Sequence, residues 1–145
     1  MYKHILIPTD GSELAEKAIH HGLALAKALG AQVTITTASE PWDAVIVGEV
    51  AVVLPPEEYE RIASESASKI LAAAKAIATA EGVACNTLHI MGEHPAEGIV
   101  KAAKDKGCDL IVMGSHGRRG FSRLILGSQA YEVVSHSTVP VLIVR

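Results

Sequence analysis

The chain has 145 residues, of which 49% are hydrophobic and 20% charged, and its formal net charge is −3. This length predicts one domain, residues 1–145, with enough apolar residues for a packed core. The slightly acidic balance and the 3% aromatic content exclude a basic nucleic-acid surface, an anionic-membrane surface and a base-stacking platform. The apolar start of the chain is too short for a signal peptide or a membrane span, so a cytoplasmic location is expected.

Strand-like and helix-like segments alternate along the chain, bounded by glycine and proline. The first segment, residues 3–8, is a nearly continuous apolar run, which is typical of a strand buried on both faces. A helix then opens at residues 10–13, where Asp10 and Ser12 are alternative caps, and Gly30 stops it. The remaining predicted elements are strand 32–37, helix 57–80, strand 83–91, helix 95–106, strand 110–113, helix 128–135 and strand 139–144.

One long connection, residues 39–55, separates the second strand from the second helix. Pro41, Gly48 and Pro55 break any regular element there. The apolar run 50–54 within it fits either a short strand or a flap.

The alternation predicts an α/β fold with a parallel sheet and helices on both faces. Ligands of such sheets bind at the carboxyl ends of the strands, where the winding reverses. If the first and fourth strands are neighbours at that point, the loop at residues 8–11 meets the loop at residues 114–128.

The second of these loops is rich in glycine and arginine and leads into a helix. Gly114 and Gly117 stand three apart, and Gly127 and Ser128 follow just before the helix. Glycines allow a close backbone approach and positive φ, and a helix N-terminus attracts anions. The pattern predicts a phosphate site. Three loop arginines are candidates for pairing with phosphate, and the pattern does not choose among Arg118, Arg119 and Arg123.

These motifs resemble those of the universal stress protein family, in particular its ATP-binding members with the signature G-x2-G-x9-G-S/T. The opening ILIPTDGSE and the ending STVPVLIVR are also similar to the family's first and last strands, so the resemblance covers essentially the whole chain. It implies a Rossmann-like (adenine nucleotide alpha hydrolase-like) open parallel five-stranded sheet of order 3-2-1-4-5 with four helices.

The resemblance also implies that ATP, with Mg²⁺, lies across the two loops. Asp10 would contact the nucleoside end or help to place Mg²⁺, and Ala38 would face the adenine. Gly127 and Ser128 would hold the terminal phosphates. The full set of expected contacts is Pro8, Thr9, Asp10, Ala38, Met113, Gly114, His116, Gly117, Arg118, Gly127, Ser128 and Gln129. The alternative reading makes Asp10 and Ser128 simple helix caps.

Several catalytic motifs are absent from the sequence. It has no GxxxxGK[ST], no GxGxxG after the first strand, no GxSxG and no evident acid–base pair. No histidines have zinc-ligand spacing, and Cys85 and Cys108 are expected to be buried or inert thiols. A dedicated enzyme is therefore not predicted, and no catalytic residue is assigned.

The leading hypothesis is an ATP-binding sensor or interaction module of the stress response. One alternative is a slow ATPase or autophosphorylating protein, with Ser115, Ser122 and Ser128 as acceptors. Another is a nucleotide-free dimeric interaction protein, which the intact glycine motif disfavours.

The last strand, residues 139–144, is the expected partner surface. An apolar strand at a sheet edge invites pairing with another chain, and Pro140 near its start is compatible with an edge position. The resemblance implies a homodimer through this strand. Neither a nucleic-acid partner nor a membrane is expected.

Overall fold

The computed structural model of the chain describes residues 1–42, 54–116 and 126–145. The elements in these ranges are β1 (His4–Pro8), α1 (Glu13–Leu29), β2 (Gln32–Ala38), α2 (Pro56–Ala80), β3 (Asn86–Ile90), α3 (Pro95–Asp105), β4 (Leu110–Gly114), α4 (Ser128–His136) and β5 (Val141–Val144). The predicted alternation is confirmed. Of the predicted short strand or flap at 50–54, residues 50–53 lie outside the described residues.

The strands form one parallel sheet of order β3-β2-β1-β4-β5. From β1 the chain winds outward through β2 and β3, and it then returns to place β4 on the other side of β1. Ile5 of β1 is in register with Val33 of β2 and with Leu110 of β4. The winding therefore reverses between β1 and β4, and the loops that follow these two strands share one edge of the sheet.

Helices cover both faces of the sheet, and each face has its own core. On one face α1 and α2 pack against Ile5, Ile7 and Ile35. On the other, α3 and α4 pack against Leu6 and Ile111. Three consecutive residues of β1, Ile5 to Ile7, are completely buried. Burial on both faces explains why this strand is continuously apolar rather than alternating.

The longest helix is amphipathic. The buried face of α2 is built mainly from alanines, such as Ala67 and Ala74, which allow the helix to lie close to the sheet. Arg61 lies exposed on α2 and pairs with Glu58 and Glu65. Among the helices in the described ranges, none combines the length and the apolar character needed to cross a bilayer.

The two edge strands begin later than the sequence predicts. Val83 donates its N–H to the carbonyl of Ala78 and so belongs to the end of α2 rather than to β3. Val139 bonds the hydroxyl of Ser137, and Pro140 has no N–H to give to a ladder. Pairing starts at Asn86 in β3 and at Val141 in β5. The N–H of Val83 is bonded to α2 and Pro140 has no N–H, although the Pro140 carbonyl still accepts the N–H of Ile111 in β4.

Asp109 fastens the start of β1 to the start of β4. Its carboxylate accepts the backbone N–H of His4 at 3.1 Å and that of Lys3 at 2.9 Å. These bonds lower the pKa of the Asp109 carboxyl below its ordinary value of 3.8, and the bond from His4 has a larger effect than the bond from Lys3. A carboxyl whose pKa is lower in the folded state stabilises the fold only while it is ionised.

Asp109→Ala should therefore lower the free energy of unfolding at pH 7. The difference from the parent protein should shrink as the pH falls through the ordinary value of 3.8 and vanish below the folded pKa. Urea unfolding between pH 7 and pH 2.5 measures it. Asp105→Ala, which removes an exposed carboxylate from the end of α3, controls for the loss of charge. A difference that stays constant with pH would contradict this role of the carboxylate.

Candidate functional site

The loop after β1 is held by one hydrogen bond to β2 and by hydrogen bonds between neighbouring residues. Thr9 is buried and donates its N–H to the carbonyl of Thr36 at 2.8 Å. Asp10 accepts the N–H of Ser12 at 2.9 Å, and the Ser12 hydroxyl accepts the N–H of Ala15 at 3.2 Å. Ser12 is therefore the cap of α1, and the alternative that Asp10 is that cap is wrong. Asp10 instead makes a turn at the carboxyl end of β1.

Gly114 lies close to the first turn of α1. A Cβ at Gly114 would lie 3.2 Å from Leu14 Cγ and 3.3 Å from the Leu14 carbonyl oxygen, in the first turn of α1. A larger residue would force Leu14 or the end of β4 to shift by a few tenths of an ångström. The glycine therefore allows the end of β4 to lie close to the helix that follows the loop at residues 8–11.

The two ends of the glycine-rich loop are tied together. Gly127 donates its N–H to the Ser115 carbonyl at 2.7 Å, and Ser115 donates its own N–H to the Val144 carbonyl at 2.9 Å. A Cβ at Gly127 would lie 2.9 Å from the Ser115 oxygen and 3.2 Å from His116 Cα. The loop is therefore closed at its base, and the closure leaves no room for a side chain at Gly127.

The backbone angles of the described motif glycines differ from the positive φ that the sequence predicts. Gly127 has φ −63°, and Gly114 is not among the described glycines with positive φ, so neither needs the left-handed region. What the backbone requires at both positions is close packing. Gly117 and Arg118, with Arg119 and Arg123, lie outside the described residues.

Gly127, rather than Ser128, is the N-cap of α4, and no side chain caps this helix. Ser128 is the first residue of the helix, and both it and Gln129 are exposed. The first N–H groups of a helix have no partner within the helix. Among the helices in the described ranges, α1 has a serine cap, whereas α2 and α3 begin with proline. Of the four helices that the structure describes, only α4 presents uncapped amides without a proline in its first turn.

The remaining expected contacts lie along the carboxyl ends of the inner strands. Pro8 is buried and Ala38 half-buried, and Ala38 packs against the core under α3 and α4. Met113 is 6% exposed, with its side chain in the same core. Met113 can therefore reach a ligand only through its backbone.

The sequence suggests a role for Ser115 only as a phosphate acceptor. In the structure its backbone links Gly127, before α4, to Val144 of β5. It is 4% exposed, and its hydroxyl lies 2.9 Å from Nδ1 of the half-buried His116. The sequence signal for this hydrogen-bonded pair is that a serine and a histidine are the two residues between the first two motif glycines. The sequence did not show that the serine would be buried.

Neither thiol belongs to the site. Burial raises the pKa of Cys108 to about 11 and also raises the pKa of Cys85. Both side chains are therefore neutral near pH 7, which agrees with the prediction of inert thiols. Across residues 1–42, 54–116 and 126–145, no three histidine, cysteine or acidic side chains are grouped to hold a metal ion.

The fold and the position of the site define a class before any comparison is made. An open parallel sheet of order β3-β2-β1-β4-β5, covered by helices on both faces, is a Rossmann-like α/β fold. Its two candidate loops follow β1 and β4 at the edge of the sheet where such folds place their ligands. A model of the universal stress protein family matches residues 1–145, and the chain belongs to that family.

Relatives from two domains of life support this assignment along the full length. Universal stress protein YxiE of Bacillus subtilis is 36% identical over 149 residues, covering 100% of both chains. The solved structure of MJ0577 has a TM-score of 0.83 at 33% identity, covering 99% of this chain and 96% of that one. MJ0577 is a universal stress protein of Methanocaldococcus jannaschii. A universal stress protein in complex with cAMP has a TM-score of 0.71 at 26% identity, covering 99% and 97%.

Proposed function

We propose that this protein binds an adenine nucleotide, with ATP as the favoured ligand, and acts as a nucleotide-dependent sensor or interaction module in the stress response. The observation that carries the proposal is the uncapped N-terminus of α4, fixed beside the end of β4 by the Gly127–Ser115 hydrogen bond at 2.7 Å. An exposed helix N-terminus at the reversal point of a parallel sheet is a general phosphate site.

The phosphate end of the ligand belongs at α4. The backbone N–H groups of Ser128 and Gln129 point out of the first turn, and both residues are exposed. The Ser128 hydroxyl adds a donor at the same place. Because the helix dipole also favours negative charge there, a polyphosphate suits this end better than an uncharged group.

The nucleoside end belongs at the ends of β1 and β2. Thr9 and Pro8 form a buried floor there, and Ala38 ends the neighbouring strand. Asp10 follows directly, so its carboxylate can accept hydrogen bonds from ribose hydroxyls or help to hold Mg²⁺. Mg²⁺ commonly uses one or two carboxylates with phosphate oxygens and water, so a single aspartate suffices beside a triphosphate.

The adenine preference draws support from the relative bound to cAMP. The glycine-rich loop and the whole-chain family match support a nucleotide site in this chain as well. The stress-response role comes from the family and not from the site.

The nucleotide proposal is tested by denaturing the purified protein with heat and identifying any released nucleotide by chromatography. Titration calorimetry of the emptied protein with Mg·ATP, cAMP and Mg·GTP then ranks the ligands. We expect ATP to bind most tightly and GTP least. A protein that releases no nucleotide and takes up none of the three would overturn the proposal.

We also propose that the protein is a homodimer paired through β5. This strand lies at the sheet edge, and Leu142 on it is 42% exposed. An exposed edge strand with an apolar side chain favours pairing with another strand.

Leu142→Lys should convert the dimer to a monomer, because the charge would be buried in the pairing surface. Light scattering coupled to size exclusion measures the mass directly. Leu29→Lys is the matched control, since Leu29 is 39% exposed at the end of α1, away from β5. A parent protein that is already monomeric at micromolar concentration would rule out the dimer.

A further inference from the structure

The Ser115 hydroxyl has little freedom. Its residue is 4% exposed, and its backbone N–H and carbonyl are bonded to Val144 and Gly127. Within the described part of the chain, the hydrogen bond of this hydroxyl is to Nδ1 of His116, at 2.9 Å. The backbone bonds fix the serine, and the serine in turn fixes one edge of the imidazole ring.

This arrangement selects one tautomer of His116. A neutral imidazole has one donor nitrogen and one acceptor nitrogen. A buried hydroxyl needs an acceptor for its hydrogen, and among the described residues Nδ1 of His116 lies at hydrogen-bond distance. Ser115 then donates to Nδ1, and the hydrogen of the neutral ring resides on Nε2. If the ring is protonated, Nδ1–H donates to the Ser115 oxygen, and Nε2 keeps its hydrogen.

The second nitrogen lies on the side of the ring away from Ser115. His116 is half-buried and begins the glycine-rich loop, and its Cα is 3.2 Å from where a Cβ of Gly127 would lie. Its backbone is thus adjacent to the N-terminus of α4. A hydrogen on Nε2 would add a side-chain donor to the backbone donors at that helix end.

The other hydroxyl–histidine pairs in the described ranges use the opposite nitrogen. His4 meets the Thr34 hydroxyl through Nε2 at 2.8 Å, and His89 meets Ser39 through Nε2, also at 2.8 Å. In both, the outer nitrogen of the ring is engaged by the sheet. In His116 the nitrogen nearer the backbone, Nδ1, makes the hydrogen bond that joins it to another described residue, so in our inference Nε2 is the nitrogen that faces a ligand.

We infer that Ser115 is a positioning residue that holds His116 in the Nε2–H form, so that His116 donates a hydrogen bond to a phosphate oxygen of the bound nucleotide. The inference rests on the proposed function, because it assigns a phosphate contact within the same site. Ser115 itself need not touch the ligand.

The tautomer can be measured without any nucleotide. In protein labelled with ¹⁵N-histidine, the ¹⁵N shifts of the two ring nitrogens distinguish a protonated nitrogen from an unprotonated one. At pH 8 we expect Nε2 of His116 to be protonated and Nδ1 unprotonated, with His116→Gln used to assign the signal. A ring protonated at Nδ1 overturns the inference, whether or not the protein binds ATP.

Nucleotide affinity tests the consequence. Ser115→Ala should weaken Mg·ATP binding about three- to tenfold, the size expected for one misdirected hydrogen bond. The ¹⁵N spectrum of this variant should show a mixture of tautomers. In the His116→Ala background, the serine change should have no further effect, because the serine acts through the ring. Ser115→Cys keeps the volume with a weaker donor and serves if the alanine variant is unstable.

Thr34→Val is the matched control. It removes a hydroxyl–histidine bond of almost the same length, at the amino end of the strands and away from the site. It should leave ATP affinity and the His116 signals unchanged. If Ser115→Ala binds ATP like the parent protein, the positioning role is wrong while nucleotide binding stands. If the parent protein binds no nucleotide, the proposed function itself fails.

Discussion

Gly127→Val is expected to abolish measurable ATP binding, weakening it by roughly a hundredfold or more, the loss of two or three hydrogen bonds to a charged group. The first atom of the new side chain would lie 2.9 Å from the Ser115 carbonyl oxygen and 3.2 Å from His116 Cα. Both obstacles are backbone, so the loop base must open and the 2.7 Å closing bond must break. Calorimetric titration with Mg·ATP measures the loss.

The control for this variant should disturb a glycine without touching the base of the glycine-rich loop. Gly98→Ala fits, since its Cβ would overlap the side chain of Ile90 under α3. We expect it to lower the melting temperature but to bind ATP normally below that temperature. Normal binding by Gly127→Val would show that the loop base does not position the phosphate donors.

Gly22→Ala should destabilise the protein by about 1–3 kcal/mol, the usual cost of overpacking a core. The sign is informative, because in an open helix position the same change would stabilise by up to about 1 kcal/mol. Gly22 lies in α1 against the sheet, and a Cβ there would lie 2.5 Å from Ile7 Cδ1 and 3.6 Å from Val112 Cβ. Ile7 is fully buried, so its side chain has no space to retreat. Urea unfolding at 25 °C measures the change.

A double-mutant cycle separates this packing effect from helix propensity. Ile7→Val removes the Cδ1 methyl that the new Cβ would meet, at a cost of about 0.5–1.5 kcal/mol by itself. In that background Gly22→Ala should cost much less than in the parent protein. Equal costs in both backgrounds would mean that Ile7 is not the obstacle.

The architecture follows closely from the sequence because each central strand carries a strong local signal. The apolar runs at Ile5–Ile7 and Leu110–Met113 can be satisfied only by burial on both faces. One glycine ends α1, and another follows shortly after the end of α2. The strand order came from the family resemblance, and the register β1 shares with β2 and β4 agrees with it. The element ends were less predictable, since Val83 and Val139 have strand-like side chains but spend their N–H groups elsewhere.

The site was predictable in position but not in its internal contacts. Residue spacing predicts that Asp10 and Gly127 lie at the carboxyl edge of the sheet, and the structure has both residues there. It could not show that Ser12 rather than Asp10 caps α1, because aspartate and serine are both favoured cap residues and both precede the helix. Nor could it show which atoms leave little room for a side chain at Gly114 and Gly127. Those atoms belong to Leu14 and to Ser115 respectively, and only the fold brings them close.

The hydrogen bond between Gly127 and Ser115 has a consequence for how this protein can diversify. The bond holds Ser115 and Gly127 together, and Ser115 is itself bonded to the last strand, so both residues belong to the scaffold. Closing a longer flexible loop costs only about 0.6 kcal/mol for each doubling of its length. Insertions between Ser115 and Gly127 should therefore change the free energy of folding only slightly. Ligand preference could then change within this stretch while the sheet and its helices stay as they are.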